Sequence, residues 1–222
     1  VLDPDTGPLN GADIGRGRLP SPTQIADCVE AQFNANTGAL LGKHVVISAG
    51  GTQEEWDPVR FIGNRSSGKQ GVALARAALA AGAKVTLVAG HMDIDPPAGV
   101  ETIHALSGEQ MHKALVAVLD EQPDCVIMAA AVADFRPTTT SANKIKKALG
   151  TQNLELEQTT DILADLCGRR TPGVGPIMIG FAAETTANIN ELVSLAQGKL
   201  TSKGADLIIA NNVNHGAIFG SE

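Results

Sequence analysis

From His44 onward the chain alternates between short, uninterrupted apolar runs and longer amphipathic stretches. The runs are HVVISAG (44–50), KVTLVAG (84–90), VETIHA (100–105), DCVIMAAA (124–131), PIMIGFAA (176–183) and ADLIIAN (205–211). Most of them lack the in–out alternation of a strand with one wet face, so both faces must be covered, which is the situation of a parallel sheet between helices. The helices fall between them: GKQGVALARAALAAGA, SGEQMHKALVAVLDE, DILADLCGRR and NINELVSLAQGKL. Ser107 stands three residues before Gln110, a capping-box arrangement. Met111, Ala114, Leu115, Val118 and Leu119 form one apolar stripe behind it. NLELEQ (153–158) alternates and reads as an edge or hairpin strand. The fold class expected is α/β, a doubly wound, Rossmann-like, mostly parallel sheet with helices on both faces.

Ligands in such sheets sit beyond the carboxyl ends of the strands. Those ends read AGGT (49–52), AAAVADF (129–135), GFAAET (180–185) and IANN (209–212), small or polar sequences that allow close backbone approach. Residues 1–43 differ. DPDTGPLNGADIGRGRLPSP is dense in Gly, Pro and Asp and reads as loop, PTQIADCVEAQFNA as one short helix, and NTGALLGK as a linker. The net charge of −7 argues against nucleic-acid binding, which needs a basic face. No apolar run approaches the ~20 residues of a membrane span. Cys28, Cys125 and Cys167 are far apart and read as reduced thilos of a cytoplasmic protein rather than a zinc site or disulfide.

Gly63-Asn-Arg-Ser-Ser-Gly68-Lys69 has the G-x-x-x-x-G-K spacing of a P-loop, but fails its context. A P-loop follows its strand directly and ends in a Mg²⁺-binding Ser or Thr, whereas the strand here ends near Gly50 and Gln70 has no hydroxyl. The segment nonetheless opens a helix, whose first N–H groups and dipole favour an anion. Arg60, Asn64, Arg65 and Lys69 cluster around it, more than a Ser66 or Ser67 N-cap beside solvated cations requires. AGGTQE is not the dinucleotide fingerprint, and a chain with no tyrosine cannot be a short-chain dehydrogenase.

AGGTQEEWDPVRFIGNRSSGKQG, AAAVADFRP, NKIKK, DIL, GFAAET and KGADLIIAN occur in that order. Together they resemble the phosphopantothenoylcysteine synthetase family, the cysteine-ligating domain of bifunctional coenzyme A biosynthesis proteins, over His44 to Phe219. The resemblance implies a tail of a fused decarboxylase domain plus linker over 1–43 and a ligase domain over 44–222, C-terminally incomplete because relatives continue past GAIFGSE. The decarboxylase A-C-G-D motif reads Asn10-Gly11-Ala12-Asp13 here, without its cysteine. FMN would belong only to the decarboxylase domain.

The implied reaction joins 4′-phosphopantothenate to L-cysteine. CTP and Mg²⁺ activate the carboxylate as an acyl cytidylate, which the cysteine amine then attacks. The implied setting is a homodimer in the cytoplasm, without nucleic acid or membrane. The resemblance implies roles for Lys144 in forming the intermediate, and for Asn64 and Arg60 in converting it. It places Ala130 and Ala131 beside the intermediate, Asp134 near the ribose, Ser66 near the triphosphate and Phe181 near the base. Gly50, Gly51, Lys199 and Lys203 would be further nucleotide contacts, and the metal ligands stay unassigned. Read without the resemblance, the lysines of KIKK are equally a solvated turn, and Arg60 a surface partner of Asp57 worth little. The TTTSAN stretch (138–143) before Lys144 suits a closing flap.

Overall fold

A computed structural model describes residues 5–8, 14–34, 37–147, 150, 153–171, 173–186 and 188–213. Its core is a six-stranded, all-parallel sheet built from β3 (His44–Ala49), β6 (Lys84–Ala89), β7 (Glu101–His104), β8 (Cys125–Met128), β11 (Ile177–Glu184) and β12 (Leu207–Asn212), in spatial order β12-β11-β8-β3-β6-β7. Counting these strands alone, the order is 3-2-1-4-5-6 of a doubly wound dinucleotide-type sheet, and the strand order reverses between β3 and β8.

Helix α2 (Lys69–Ala80) carries the chain from β3 toward β6 and covers one face, where Ala75 and Ala78 pack on Val45, Ile47, Val85 and Leu87. On the opposite face α3 (Gly108–Leu119) and α4 (Ile162–Arg169) bury Met111, Leu115, Ile162 and Leu166 against Val46, Val88, Val126 and Met178. The capping box on α3 forms as its sequence requires: Gln110 N–H donates to Ser107 Oγ, and Ser107 N–H to Gln110 Oε1. Helix α5 (Ile189–Lys203) packs on β12, capped by Asn188 and ended by left-handed Gly204. No helix joins β6 to β7, where Pro96-Pro97 interrupts the chain.

Cover is uneven. Cys125 and Ile127 share the α2 face, and strand register places Ile177, Ile179 and Leu207 on the same side. Ile177 is 55% and Leu207 48% exposed, so among the described residues that half of the face is open. Among the described residues no helix is long and apolar enough to cross a membrane.

Three two-stranded ribbons hang on this frame. β4 (Gln53–Asp57) and β5 (Arg60–Gly63) fill the gap between β3 and α2, and β9 (Phe135–Pro137) pairs with β10 (Leu156–Gln158), the hairpin strand expected from NLELEQ. The third corrects the loop reading of the N-terminal segment: β1 (Asp5–Pro8) and β2 (Ile14–Arg18) form an antiparallel ribbon. Gly and Pro density masked the pairing, and Asn10 to Asp13 lies outside the described residues. α1 (Pro22–Asn34) follows as expected, without a buried residue, and leans on α2 through the Arg76–Asp27 ion pair at 2.9 Å. Leu40 packs into the α2-side core and its N–H reaches the Ala81 carbonyl, so the stretch before Lys43 belongs with the sheet by packing.

Candidate active site

Three glycines let β3 and α2 meet closely although a hairpin separates them in sequence. Gly50 turns the chain after β3 with φ 80°, and Gly68 precedes α2 with φ 77°; both values favour glycine. A Cβ on either would run into Met92 Cγ, at 2.7 and 2.6 Å. A Cβ on Gly71, in the first turn of α2, would overlap Ala49 and lie 3.2 Å from the Ser48 carbonyl oxygen. These are the jobs of a dinucleotide-fold glycine motif, namely the tight turn, the close approach and the helix–strand contact, redistributed around an insertion. The residue capping α2 is Gly68, not Ser66 or Ser67, and no side chain caps the helix. Its first turn therefore presents backbone N–H groups to a cavity of about 800 Å³ lined by Ser66 to Gly71.

The opposite wall is the end of β8. Two fully buried hydroxyls extend the β3–β8 pairing past the strands: Ser48 Oγ accepts from Ala130 N–H at 3.2 Å, and Thr52 Oγ1 from Ala133 N–H at 2.9 Å. Ala131 N–H donates to the Gly50 carbonyl at 2.8 Å. The amides of Ala130 and Ala131 are thus engaged within the protein, and these alanines act as a smooth wall. Asn64 bridges the gap, its Nδ2–H donating to the Val132 carbonyl at 2.9 Å. That bond orients the side-chain amide at the boundary between the main cavity and a smaller groove. The groove is lined by Gly51, Phe61, Asn64 to Ser67, His91 and Asp93.

The far wall comes from β11 and α5. Phe181 lines it half-buried, and Lys199 and Lys203, one turn apart, reach it from α5. Each lysine rests on a carboxylate, Lys199 on Glu184 at 2.5 Å and Lys203 on Asp161, which also caps α4 by accepting from Ala164 N–H. Arg65, Lys69, Lys199 and Lys203 line the cavity against Asp134 and Asp161. In a chain of net charge −7 that concentration of cations favours a polyanion. Among the described residues no three His, Cys, Asp or Glu converge as metal ligands, so the donor set does not fit a resident Mg²⁺ cage.

The sequence matches the family described as DNA/pantothenate metabolism flavoprotein C-terminal domain over residues 40–222. The chain belongs to that family. It is 45% identical over 227 residues to the coenzyme A biosynthesis bifunctional protein CoaBC of Mycobacterium tuberculosis H37Rv, covering 99% of this chain and 54% of the relative. The Bacillus subtilis protein of the same name is 44% identical over 224 residues, covering 100% and 53%. The chain therefore spans about half the length of the curated relatives it matches. A crystal structure of the C-terminal domain of a CoaBC protein superposes with TM-score 0.67 at 40% identity, covering 80% of this chain and 81% of that one.

In this flavoprotein C-terminal domain the residues expected at the site divide into three groups. Asn64, Ser66, Ala130, Ala131, Asp134, Phe181, Lys199 and Lys203 line the main cavity. Gly51 lines the smaller groove, and Gly50 shapes the turn behind both. Arg60 and Lys144 line neither. Lys144 is exposed, on a segment without regular structure, and Arg60 is joined to Asp57. The expectation of a surface pair at Arg60 is corrected by burial: the Asp57 side chain is fully covered, with Arg60 lying over it. Sequence reasoning missed Ser48, Thr52, Gly71 and Asp161, and for Asp57 its burial and its contact with Ile145. The spacing Gly68-x-x-Gly71 was a readable signal for one of them; the buried hydroxyls had none.

Proposed function

We propose that this chain is the ligase domain that makes 4′-phosphopantothenoyl-L-cysteine for coenzyme A biosynthesis, using CTP. The observation that carries it is the α2 N-terminus, capped by no side chain, facing Lys199 and Lys203 across one cavity, within a family of which a 40%-identical solved member is a CoaBC C-terminal domain. Residues 44–222 would hold this activity. Residues 1–43 would be the tail of a decarboxylase domain, to which FMN chemistry belongs. The ligase domain would work as a cytoplasmic homodimer.

The triphosphate lies along the α2 N-terminus, where N–H dipoles, Ser66 and the two α5 lysines neutralise it, with the ribose toward Asp134 and the cytosine toward Phe181. Mg²⁺ enters as the counter-ion of the nucleotide, held by phosphate oxygens and water. A carboxylate oxygen of phosphopantothenate attacks the α-phosphorus and pyrophosphate leaves. Charge growing on the phosphate is met by prepositioned donors, with Lys144 brought over from the flap. The cysteine nitrogen then attacks the acyl carbon, loses a proton and expels CMP. Asn64 stands where the cavity opens to the smaller groove, placed to orient that second attack.

With CTP, phosphopantothenate and Mg²⁺ but no cysteine, the protein is expected to release pyrophosphate. Asn64→Asp is expected to accumulate the acyl cytidylate even when cysteine is supplied. A non-catalytic nucleotide-binding module would bind CTP and release none.

A further inference from the structure

Asp57 closes β4 with its side chain completely buried. A buried carboxylate needs N–H partners to replace lost hydration. Most of its donors belong to the tight turn into β5: Val59 and Arg60 backbone N–H to Oδ1, each at 2.9 Å, and Arg60 Nε and Nη2 to Oδ2 at 3.0 and 2.5 Å. One donor is remote. The Ile145 backbone N–H, 88 residues along the chain, donates to Oδ2 at 3.1 Å. Arg60 Nη2 in turn donates to the Ile145 carbonyl oxygen at 2.8 Å. A carboxylate–guanidinium pair thus holds both backbone groups of one residue, as a neighbouring strand would. Trp56 backs the arrangement, its ring 4.4 Å from the guanidinium and its carbonyl accepting from Ser141 N–H at 2.9 Å.

Ile145 stands between the exposed Lys144 and Lys146, on a stretch with neither helix nor strand from 138 to 146. The fold of that stretch alone therefore does not set where Lys144 stands. We propose that Asp57 is the positioning residue of this lysine strap: acting through Ile145, with Arg60 as counter-ion, it fixes Lys144 relative to the phosphates of the bound nucleotide. The proposal rests on the ligase reading above. It assigns Arg60 to positioning rather than to contact with reacting atoms, which is why Arg60 lies outside the cavity.

Two substitutions approach the clamp from its two sides. Asp57→Asn removes the charge and puts an N–H donor where acceptors are needed; Ile145→Pro removes the strap's donor, fixing φ at 145 and narrowing the choices of Lys144 as it does so, and leaves the donors of the hairpin turn intact. Each is expected to lower kcat for cysteine-independent pyrophosphate release about 10- to 100-fold, the scale of an ångström-sized misplacement. KM for CTP should hold, because the cavity walls are untouched. The double variant should be no worse than the poorer single one, as for residues acting through one contact. Trypsin cleavage after Lys146 and Lys147 should quicken in both, relative to cleavage elsewhere; the bond after Lys144 reports only in Asp57→Asn, because trypsin does not cut before proline. Additive losses, or a loosened strap with unchanged kcat, would overturn the positioning role, and unchanged cleavage would overturn the clamp. Absence of pyrophosphate release from the unsubstituted protein would overturn the ligase reading instead. If Asp57→Asn unfolds the hairpin, cleavage rises everywhere, and Ile145→Pro alone decides.

Discussion

At the scale of single residues, Asp57 and Lys203 show opposite uses of charge. The Arg60 side-chain hydrogen bonds, helped by the Ile145, Val59 and Arg60 N–H groups, hold the Asp57 carboxyl well below the usual carboxylate range despite its burial. A pKa lower in the folded than in the unfolded state gives stability that is complete above the unfolded value of about 4 and is lost as pH falls through the folded one. The stability difference between the protein and Asp57→Asn, measured by urea unfolding, should be flat from about pH 8 to 5 and shrink below about pH 4. Lys203 rests on Asp161, and in the proposed ligase a bound triphosphate would draw it away. Lys203→Met should weaken CTP binding by about tenfold, the worth of one hydrogen bond to a charged group. It should cost under about 1 kcal/mol of stability, because the pair is partly exposed. Isothermal titration and chemical denaturation separate the two effects. Burial raises the Cys125 thiol to about 11, so alkylation at this residue should be slow at pH 8.

At the scale of elements, the contact between α2 and β3 decides whether an anion site exists. Gly71→Ala places a methyl against Ala49 and the Ser48 carbonyl, neither of which can swing away. Overpacking of this kind costs about 1–3 kcal/mol, outweighing the propensity gain of Ala over Gly. The expected outcome is a lower unfolding midpoint together with weaker CTP binding, since the helix N-terminus is displaced. The sheet was legible because uniformly apolar runs between amphipathic helices allow few architectures, and strand ends rich in Gly and Ala line the cavity. Lys203 became legible only through the ordered motifs, because a lysine near a helix end is otherwise an ordinary cap. Ser48 and Thr52 stayed hidden, as did the contact of Asp57 with Ile145: these partners are 80 or more residues away, and local pattern carries no trace of such contacts. The N-terminal ribbon was read as loop because its glycines and proline suppress strand propensity while permitting a short antiparallel pair.

At the scale of the whole molecule, the sheet unit and the leading segment are unequal partners. α1 buries no residue, Phe33 is 79% exposed, and the helix meets α2 lightly, through the Arg76–Asp27 ion pair and a few packing contacts. Removing residues 1–36 should leave CTP affinity unchanged and lower stability by about 1 kcal/mol or less, the worth of such a pair. A cut after residue 43 should cost more, because Leu40 leaves the core. Everything else depends on one cavity joining the α2 N-terminus to the α5 lysines. A crystal structure of the protein with CTP and Mg²⁺ tests that placement most directly. The triphosphate is expected against the backbone N–H groups of Gln70 and Gly71, with Lys203 released from Asp161 and cytosine beside Phe181. A triphosphate bound in the groove beyond Asn64, or away from α2 altogether, would contradict it.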